Sequence, residues 1–150
     1  MREMAMWPEM QQRTAALLAA MREHEVLCRD AAPDLPALAR VRWRIADASR
    51  QRMEYLIEEV LPQAERLATG EAARRLRRLK DTTPSYRQRI SAFNAQWSAE
   101  TLATNWPEYR VRAGEIRAAI RARLAEEAMV IRLLSEERTS TPVTEPTARR

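Results

Sequence analysis

The chain has 150 residues, 45% of them hydrophobic, which is enough for one ordinary domain with one core. Only two glycines interrupt it, and the helix formers Ala, Leu, Arg and Glu dominate, so the composition excludes a β or α/β fold. The formal charge of +5 comes from 26 basic and 21 acidic residues, interspersed, which indicates a solvated, salt-bridged surface.

The first predicted helix begins near Pro8, because proline suits the first turn of a helix, and ends near Cys28. Two prolines and two aspartates in segment 30–36 then end the pattern and start a new helix. The apolar side of this first helix consists of Leu17, Leu18, Met21 and Val26.

The second predicted helix runs from about Pro36 to Leu67. Its apolar positions recur every three or four residues, as in an amphipathic helix. We expect Pro62 to kink or tighten the final turns, since proline lacks the amide hydrogen that a helix needs. The stripe consists of Leu38, Val41, Ile45, Ser49, Met53, Leu56 and Val60.

The third predicted helix begins at Glu71, after the stop signal Thr69-Gly70, and continues through Ile90 and Phe93 to Trp97. The segment 82–84, Thr-Thr-Pro, either kinks this helix or restarts it with a threonine cap. Both outcomes remain open from the sequence.

The fourth predicted helix begins near Pro107, with apolar residues at helical spacing: Ile116, Ile120, Leu124, Ile131 and Leu134. Residues 139–150 have no apolar period, so we predict a disordered tail after a single domain that spans 1–138. Four long amphipathic helices with short links predict an all-α fold, an antiparallel up-down four-helix bundle.

The expected compartment is the cytoplasm. The lone cysteine, Cys28, forms no internal disulfide, so an oxidising compartment is not required. Segment 1–10 carries charges and lacks the apolar stretch of a secretory signal. No window approaches the roughly 18 apolar residues of a membrane span, so we expect no membrane association.

Two helices contain a recurring phrase, Leu56–Pro62 and Ala125–Ile131, in which paired glutamates precede a short apolar run. These phrases resemble the hemerythrin-like, or HHE cation-binding, family, whose helices carry His, then paired Glu, then an apolar run. Segment Met21–Leu27 is similar to the family's first-helix histidine phrase. The resemblance implies a four-helix bundle with a di-iron centre.

The family's iron ligands are mostly missing, because this chain has a single histidine. The resemblance places the vestigial ligand positions at His24, Glu54, Glu58, Arg123 and Glu127. An arginine is always protonated and offers no acceptor, so Arg123 cannot ligate a cation. We therefore predict that the metal site is lost and that the protein binds no cofactor.

Alternatives remain open for these positions. His24 is a partly exposed or hydrogen-bonded structural residue, a pH-sensing group near the bundle interior, or, with Glu58 and Glu127, the ligand of a residual mononuclear site. Arg123 and Glu127 form either a buried network that fills the old ligand cavity, with Glu54, Glu58 and Arg52 as possible partners, or an ordinary surface pair.

The densest basic run, at the start of the third helix, consists of Arg74, Arg75, Arg77, Arg78 and Lys80. Such a run can bind phosphates, but one spread around a helix is more often a solvated surface. This run is the basis for nucleic acid as an alternative partner.

Four tryptophans, at 7, 43, 97 and 106, are expected mainly in the core. Trp7 and Trp106 each precede a proline, and the alternative is that they mark a contact surface at one end. Cys28 lies four residues after His24, but no third group to orient a catalytic pair is evident.

We therefore predict a non-enzymatic, metal-free hemerythrin-like bundle that acts as an interaction or regulatory module. Its expected partner is a protein or a second copy in a homodimer. The alternatives are a basic helical protein that associates with nucleic acid, and a sensor or enzyme that keeps a reduced metal site around His24.

Overall fold

The structure is a computed structural model that describes the backbone of residues 7–140 and the side chains of residues 7–137. Within this range the chain is helical and contains no strand, which confirms the all-α prediction. None of the described helices combines the length and the apolar character that crossing a membrane requires. The elements are α1 (Pro8–Leu27), α2 (Leu35–Tyr55), a π-helical turn (Leu56–Val60), α3 (Leu61–Leu67), α4 (Gly70–Gln96), α5 (Ala99–Thr104) and α6 (Trp106–Ser140).

Local signals explain where several helices begin. Asp34 caps α2, because its carboxylate accepts a hydrogen bond from the Ala37 amide at 3.1 Å. Gly70 has a positive φ of 54°, a conformation that glycine adopts without strain, and α4 begins there. The short helix α5, which the sequence analysis missed, begins where Ser98 accepts a hydrogen bond from the Thr101 amide at 3.2 Å.

Near Pro62 the helix widens, so the predicted tightening is wrong. The Leu61 amide bonds to the carbonyl oxygen of Leu56, five residues back, in a π-helical turn. In a regular helix the ring of Pro62 would clash with the carbonyl of Glu58, which lies four residues earlier. A wider turn just before the proline relieves that clash, and α3 follows it directly.

The helix α4 runs without a break through Pro84, so the predicted restart at Thr83 is wrong. The hydroxyls of Thr82 and Thr83 donate to the carbonyl oxygens of Arg78 and Leu79, at 2.8 and 2.7 Å. These threonines therefore bond backward into the preceding turn instead of capping a new helix.

Three pairs of helices contact each other in antiparallel orientation: α1 with α2, α4 with α6, and α1 with α6. In each pair, a contact that involves a higher residue number on one helix involves a lower residue number on the other. The contacts that fix these directions are Thr14–Arg52 and Glu23–Arg44, Thr69–Glu137 and Thr82–Arg123, and Glu25–Arg121 and Cys28–Arg110.

The apolar core consists of two end clusters and a thin middle. The cluster near the π-helical turn contains Trp7, Met10, Leu56, Val60, Ala64, Ala72, Leu76, Leu79, Val130 and Leu134. The cluster at the other end contains Cys28, Leu38, Trp97, Leu102, Trp106, Tyr109 and Ala113. Only Leu17, Met21 and Ile120 are buried between them, at a level where α2 and α4 make almost no direct contact.

The tryptophans divide differently from the prediction. Trp7, Trp97 and Trp106 are buried, so the alternative that Trp7 and Trp106 form a contact surface is wrong. Trp43 is 68% exposed on α2, so its assignment to the core is also wrong. The predicted tail at 139–150 lies outside the described residues except for its first two positions, which belong to α6.

Candidate functional site

A half-open cavity of about 510 Å³ lies in the middle of the molecule, between α2 and α4. Helices α1 and α6 form its floor, and exposed side chains such as Ser91 and Asn94 line its rim. A volume of this size is typical of a small-molecule site. Its middle section is apolar and includes Leu17, Ile45, Ile90, Ile116, Ile120 and Leu124.

One end of the cavity holds a buried carboxylate between two buried arginines. Arg52 Nη2 lies 2.5 Å from Glu127 Oε2, and Arg123 Nε lies 3.6 Å from Glu127 Oε1. We call these three residues the Glu127 cluster. It carries two positive charges and one negative charge, and it contains the interior pairing of Arg123, Glu127 and Arg52 that was one of the two alternatives.

Both arginines of the Glu127 cluster are held by further hydrogen bonds. Arg123 donates to Thr82 Oγ1 and to the carbonyl oxygen of Leu79, each at 2.7 Å, and to Thr83 Oγ1 at 2.5 Å. Its guanidinium carbon lies 5.4 Å from the centroid of the Tyr86 ring. Arg52 Nε donates to Thr14 Oγ1 at 2.9 Å.

Glu127 is bound by charge rather than by aligned hydrogen bonds. Within the part of the chain whose side chains are described, neither of its buried oxygens accepts a hydrogen bond of good angular geometry. The close approach of Arg52 is therefore an ion contact. Burial, followed by the negative charge of Glu127, raises the pKa of the neighbouring Tyr86.

The other end of the cavity is built around His24, which is buried. Its Nδ1 lies 2.8 Å from Arg117 Nη1, and its Nε2 lies 2.8 Å from the hydroxyl of Tyr109. Because an arginine only donates, Nδ1 accepts, and the neutral ring carries its hydrogen on Nε2 and donates to Tyr109. Burial, then the charges of Arg117 and Arg42, lower the pKa of His24 from 6.5 to about 4.

Tyr109 lies at the centre of the aromatic cluster at this end. Its ring is 5.4 Å from that of Trp97, 5.7 Å from that of Trp106 and 6.0 Å from that of Phe93, centroid to centroid. Burial raises the pKa of Tyr109 to about 12, so the phenol keeps its hydrogen at neutral pH. We call Arg117, His24 and Tyr109 the Arg117 cluster.

Cys28 lies beside the Arg117 cluster but is not activated. Its sulfur is 3.9 Å from His24 Nε2 and 3.6 Å from Arg117 Nη1. Burial is the largest influence on this thiol and raises its pKa, so the sulfur stays protonated. A buried thiol of this kind packs as a small apolar group.

The vestigial ligand positions do not come together in one place. Glu54 and Glu58 are exposed at the rim of the cavity, and Glu54 pairs with Arg50 at 3.1 Å. His24 is ten residues along α1 from Thr14, which binds the Glu127 cluster, or roughly 15 Å by helix rise. Among residues 7–137, no group of three or more His, Cys, Asp or Glu side chains is placed to hold a metal ion.

The basic run on α4 is exposed, and three of its five cations are paired with carboxylates. Arg74 and Arg75 contact Glu71 at 2.6 and 2.9 Å. Lys80 contacts Glu65 at 2.5 Å. Arg77 and Arg78 are also exposed on this helix.

Sequence reasoning missed Arg117, Tyr109 and Arg42, which all line the cavity. Tyr109, Ala113 and Arg117 continue at four-residue spacing into the stripe that contains Ile120. The position of Arg117 in this stripe was the available signal in the sequence. A buried arginine is rare unless it has a partner, so an arginine at a core position indicates a polar site.

Comparisons with models of protein families, with curated proteins and with solved structures found no match to this chain.

Proposed function

We propose that this protein is a non-enzymatic, metal-free interaction or regulatory module that binds a small molecule with an apolar body in its central cavity. The observation that carries the proposal is the cavity itself, about 510 Å³ with an apolar middle and a few buried polar groups at its ends. Ligand sites combine these features, because apolar walls supply affinity and a few polar groups supply orientation.

The size of the cavity supports an occupant. Its volume of about 510 Å³ lies within the range of small-molecule sites. The cavity is open on one side and therefore holds water when no ligand is present. Water against apolar walls is unfavourable, so an apolar ligand that replaces it gains binding free energy.

The fold proposed for this module is an up-down four-helix bundle of hemerythrin-like type. The antiparallel contacts of α1 with α2, α1 with α6 and α4 with α6 support alternating helix directions. The position of Arg123 beside Glu127 supports the replacement of a metal by an ion pair.

The state of the buried polar groups supports a binding role rather than catalysis. The one imidazole already accepts from Arg117 on Nδ1 and donates to Tyr109 from Nε2, so it has no lone pair available to remove a proton. The Cys28 thiol is buried with a raised pKa, which disfavours a nucleophilic thiolate.

The test is calorimetric titration with 1-decanol, a neutral molecule with an apolar chain. Ser49 lines the cavity, so Ser49→Phe fills it from α2. Ala39→Phe is the matched control, because Ala39 is exposed on the same helix and does not line the cavity. We expect binding to the wild type and to the control, and at least about tenfold weaker binding to Ser49→Phe.

Three results would count against the proposal. Equal affinity of 1-decanol for Ser49→Phe and Ala39→Phe would mean that the ligand binds elsewhere. A stable dimer in sedimentation that binds no 1-decanol would mean that a second copy covers the gap between α2 and α4. Iron at a stoichiometric level in elemental analysis of the purified protein would contradict the metal-free part of the proposal.

A further inference from the structure

The Arg117 cluster contains two hydrogen-bond donors that are not used within the described part of the chain. His24 occupies the Tyr109 oxygen as a donor, so the phenol hydrogen points elsewhere, and it has no acceptor among the side chains of residues 7–137. Arg117 Nε is buried and makes no hydrogen bond within the same range. Both unused donors belong to residues that line the cavity.

The charge at this end is also uncompensated. Arg117 is 8% exposed, and no carboxylate of the described residues forms an ion pair with it. Arg42, which lines the same end, lies with its guanidinium carbon 5.8 Å from the Tyr109 ring centroid. Burial of a guanidinium without a counter-ion is costly, and an anion that enters the cavity would remove that cost.

We propose that this end of the cavity binds the carboxylate of an amphipathic carboxylic acid, with Arg117 and Tyr109 as donors and the apolar body along the cavity floor. The inference rests on the proposed function and adds the chemical class of the ligand and its orientation. A guanidinium fork matches the two oxygens of a carboxylate.

The anion belongs at the Arg117 cluster rather than at the Glu127 cluster. There, Arg52 and Arg123 already contact Glu127, and both donate to hydroxyl or carbonyl oxygens. A second carboxylate at that end would be repelled by Glu127. Burial lowers the pKa of His24 most, and the charges of Arg117 and Arg42, the groups that would attract the anion, lower it further.

The length of the cavity sets the length of the ligand. Arg117 and Arg123 are six residues apart on α6, and Arg117 and Glu127 are ten apart, so the two polar ends are separated by roughly 9–15 Å of helix. The side chains between them are apolar, among them Ile120 and Leu124. A medium-chain fatty acid such as decanoate spans this distance.

The experiment compares decanoate with 1-decanol by calorimetric titration at about pH 7.5, where the carboxylic acid is ionised. A charge-assisted hydrogen bond from Arg117 predicts that the wild type binds decanoate at least about tenfold more tightly than 1-decanol. Arg117→Gln should abolish this preference while it keeps the affinity for 1-decanol. Arg121→Gln is the matched control, because Arg121 lies exposed on the same helix and pairs with Glu25.

Two further variants, Tyr109→Phe and Arg42→Gln, test the proposal even if Arg117→Gln does not fold. Tyr109→Phe removes one hydroxyl and keeps the aromatic ring, and Arg42 is only partly buried. Each should reduce the preference for decanoate severalfold. Circular dichroism of every variant checks that it is folded.

The failures of the two proposals are distinguishable. If neither ligand binds, the proposed function is wrong. If 1-decanol binds as tightly as decanoate, or if both Tyr109→Phe and Arg42→Gln keep the full preference, the cavity is a ligand site but the carboxylate assignment is wrong. Tighter binding of decyl phosphate than of decanoate would also overturn the carboxylate assignment.

Discussion

Two arginine–glutamate pairs on α6 have the same local geometry and different surroundings. In each, an arginine Nε lies 3.6 Å from the Oε1 of a glutamate four residues later: Arg123 with Glu127, and Arg132 with Glu136. The side chains of the first pair are 7% and 3% exposed, and those of the second are 64% and 62% exposed. Removal of one partner from a buried pair leaves a charge without solvation, whereas water replaces an exposed partner.

This difference predicts the stability of two alanine variants. Arg123→Ala should lower the free energy of unfolding by about 3 kcal/mol, the lower end of the range for breaking a buried pair, because Arg52 still contacts Glu127. Arg132→Ala should cost less than about 1 kcal/mol. Urea unfolding measures both losses. Equal losses would show that the buried pair of Arg123 and Glu127 stabilises the fold no more than the exposed pair does.

His24 predicts a stability change in acid. Its pKa is about 4 in the folded chain and 6.5 as the reference value, so the unfolded state binds more protons between these values. The neutral, buried state of His24 contributes roughly 3 kcal/mol to the free energy of unfolding. This contribution is present in full above pH 6.5 and is lost as the pH falls toward 4. The groups that face the ring are Arg117, Arg42, Tyr109 and Cys28, and none of them is a carboxylate.

The measurement is the free energy of unfolding of the wild type and of His24→Gln across this pH range. The variant lacks the titrating ring, so its stability should fall less steeply in acid, whatever its stability at neutral pH. Parallel pH profiles for the two proteins would contradict the account of His24 as a buried neutral base.

At the scale of the helices, α4 tests what a proline does inside an otherwise regular helix. Pro84 is exposed and supplies no amide hydrogen to the carbonyl of Lys80. Pro84→Ala restores that hydrogen bond and should raise the free energy of unfolding by about 1–2 kcal/mol, less than the full helix preference because proline also restricts the unfolded chain.

The matched control is Pro36→Ala, in the first turn of α2, where no helical hydrogen bond is missing. It should give no gain in stability. A loss of stability in Pro84→Ala would mean that the conformation of α4 at this point depends on the proline.

The helices themselves were largely predictable from the sequence, because their causes are local. Pro8, Asp34 and Gly70 mark ends that the structure places within a residue or two of the prediction. The wide turn before Pro62 and the unbroken course through Pro84 were not predictable, since each depends on how the surrounding helices hold the backbone. The helix α5 was missed because a six-residue segment shows too little periodicity.

The candidate site was predictable only in part. Arg123, Glu127 and Arg52 were recognised as an interior alternative because two of them lie on a helical stripe at four-residue spacing. Arg117 was not recognised in the sequence analysis. Its contact with His24 joins residues that are 93 positions apart, which no local pattern indicates.

For the whole molecule, the two end clusters of the core contain most of the buried apolar side chains, and the proposed ligand site lies between them. The thin middle cluster around Leu17, Met21 and Ile120 buries few side chains. Both polar clusters border the cavity, and Tyr109 of the Arg117 cluster also belongs to the aromatic end of the core. The central claim is therefore that the gap between α2 and α4 is a ligand site.

Ligand-linked stability tests this claim most directly. Urea unfolding of the wild type, Ser49→Phe and Ala39→Phe is compared with and without 1-decanol at a hundredfold excess over its dissociation constant. A ligand that binds only the folded cavity should stabilise the wild type and Ala39→Phe by about 2.7 kcal/mol, and Ser49→Phe by no more than about 1.4 kcal/mol, because its binding is at least about tenfold weaker. The same gain in Ser49→Phe, or no gain in the wild type, would contradict the claim.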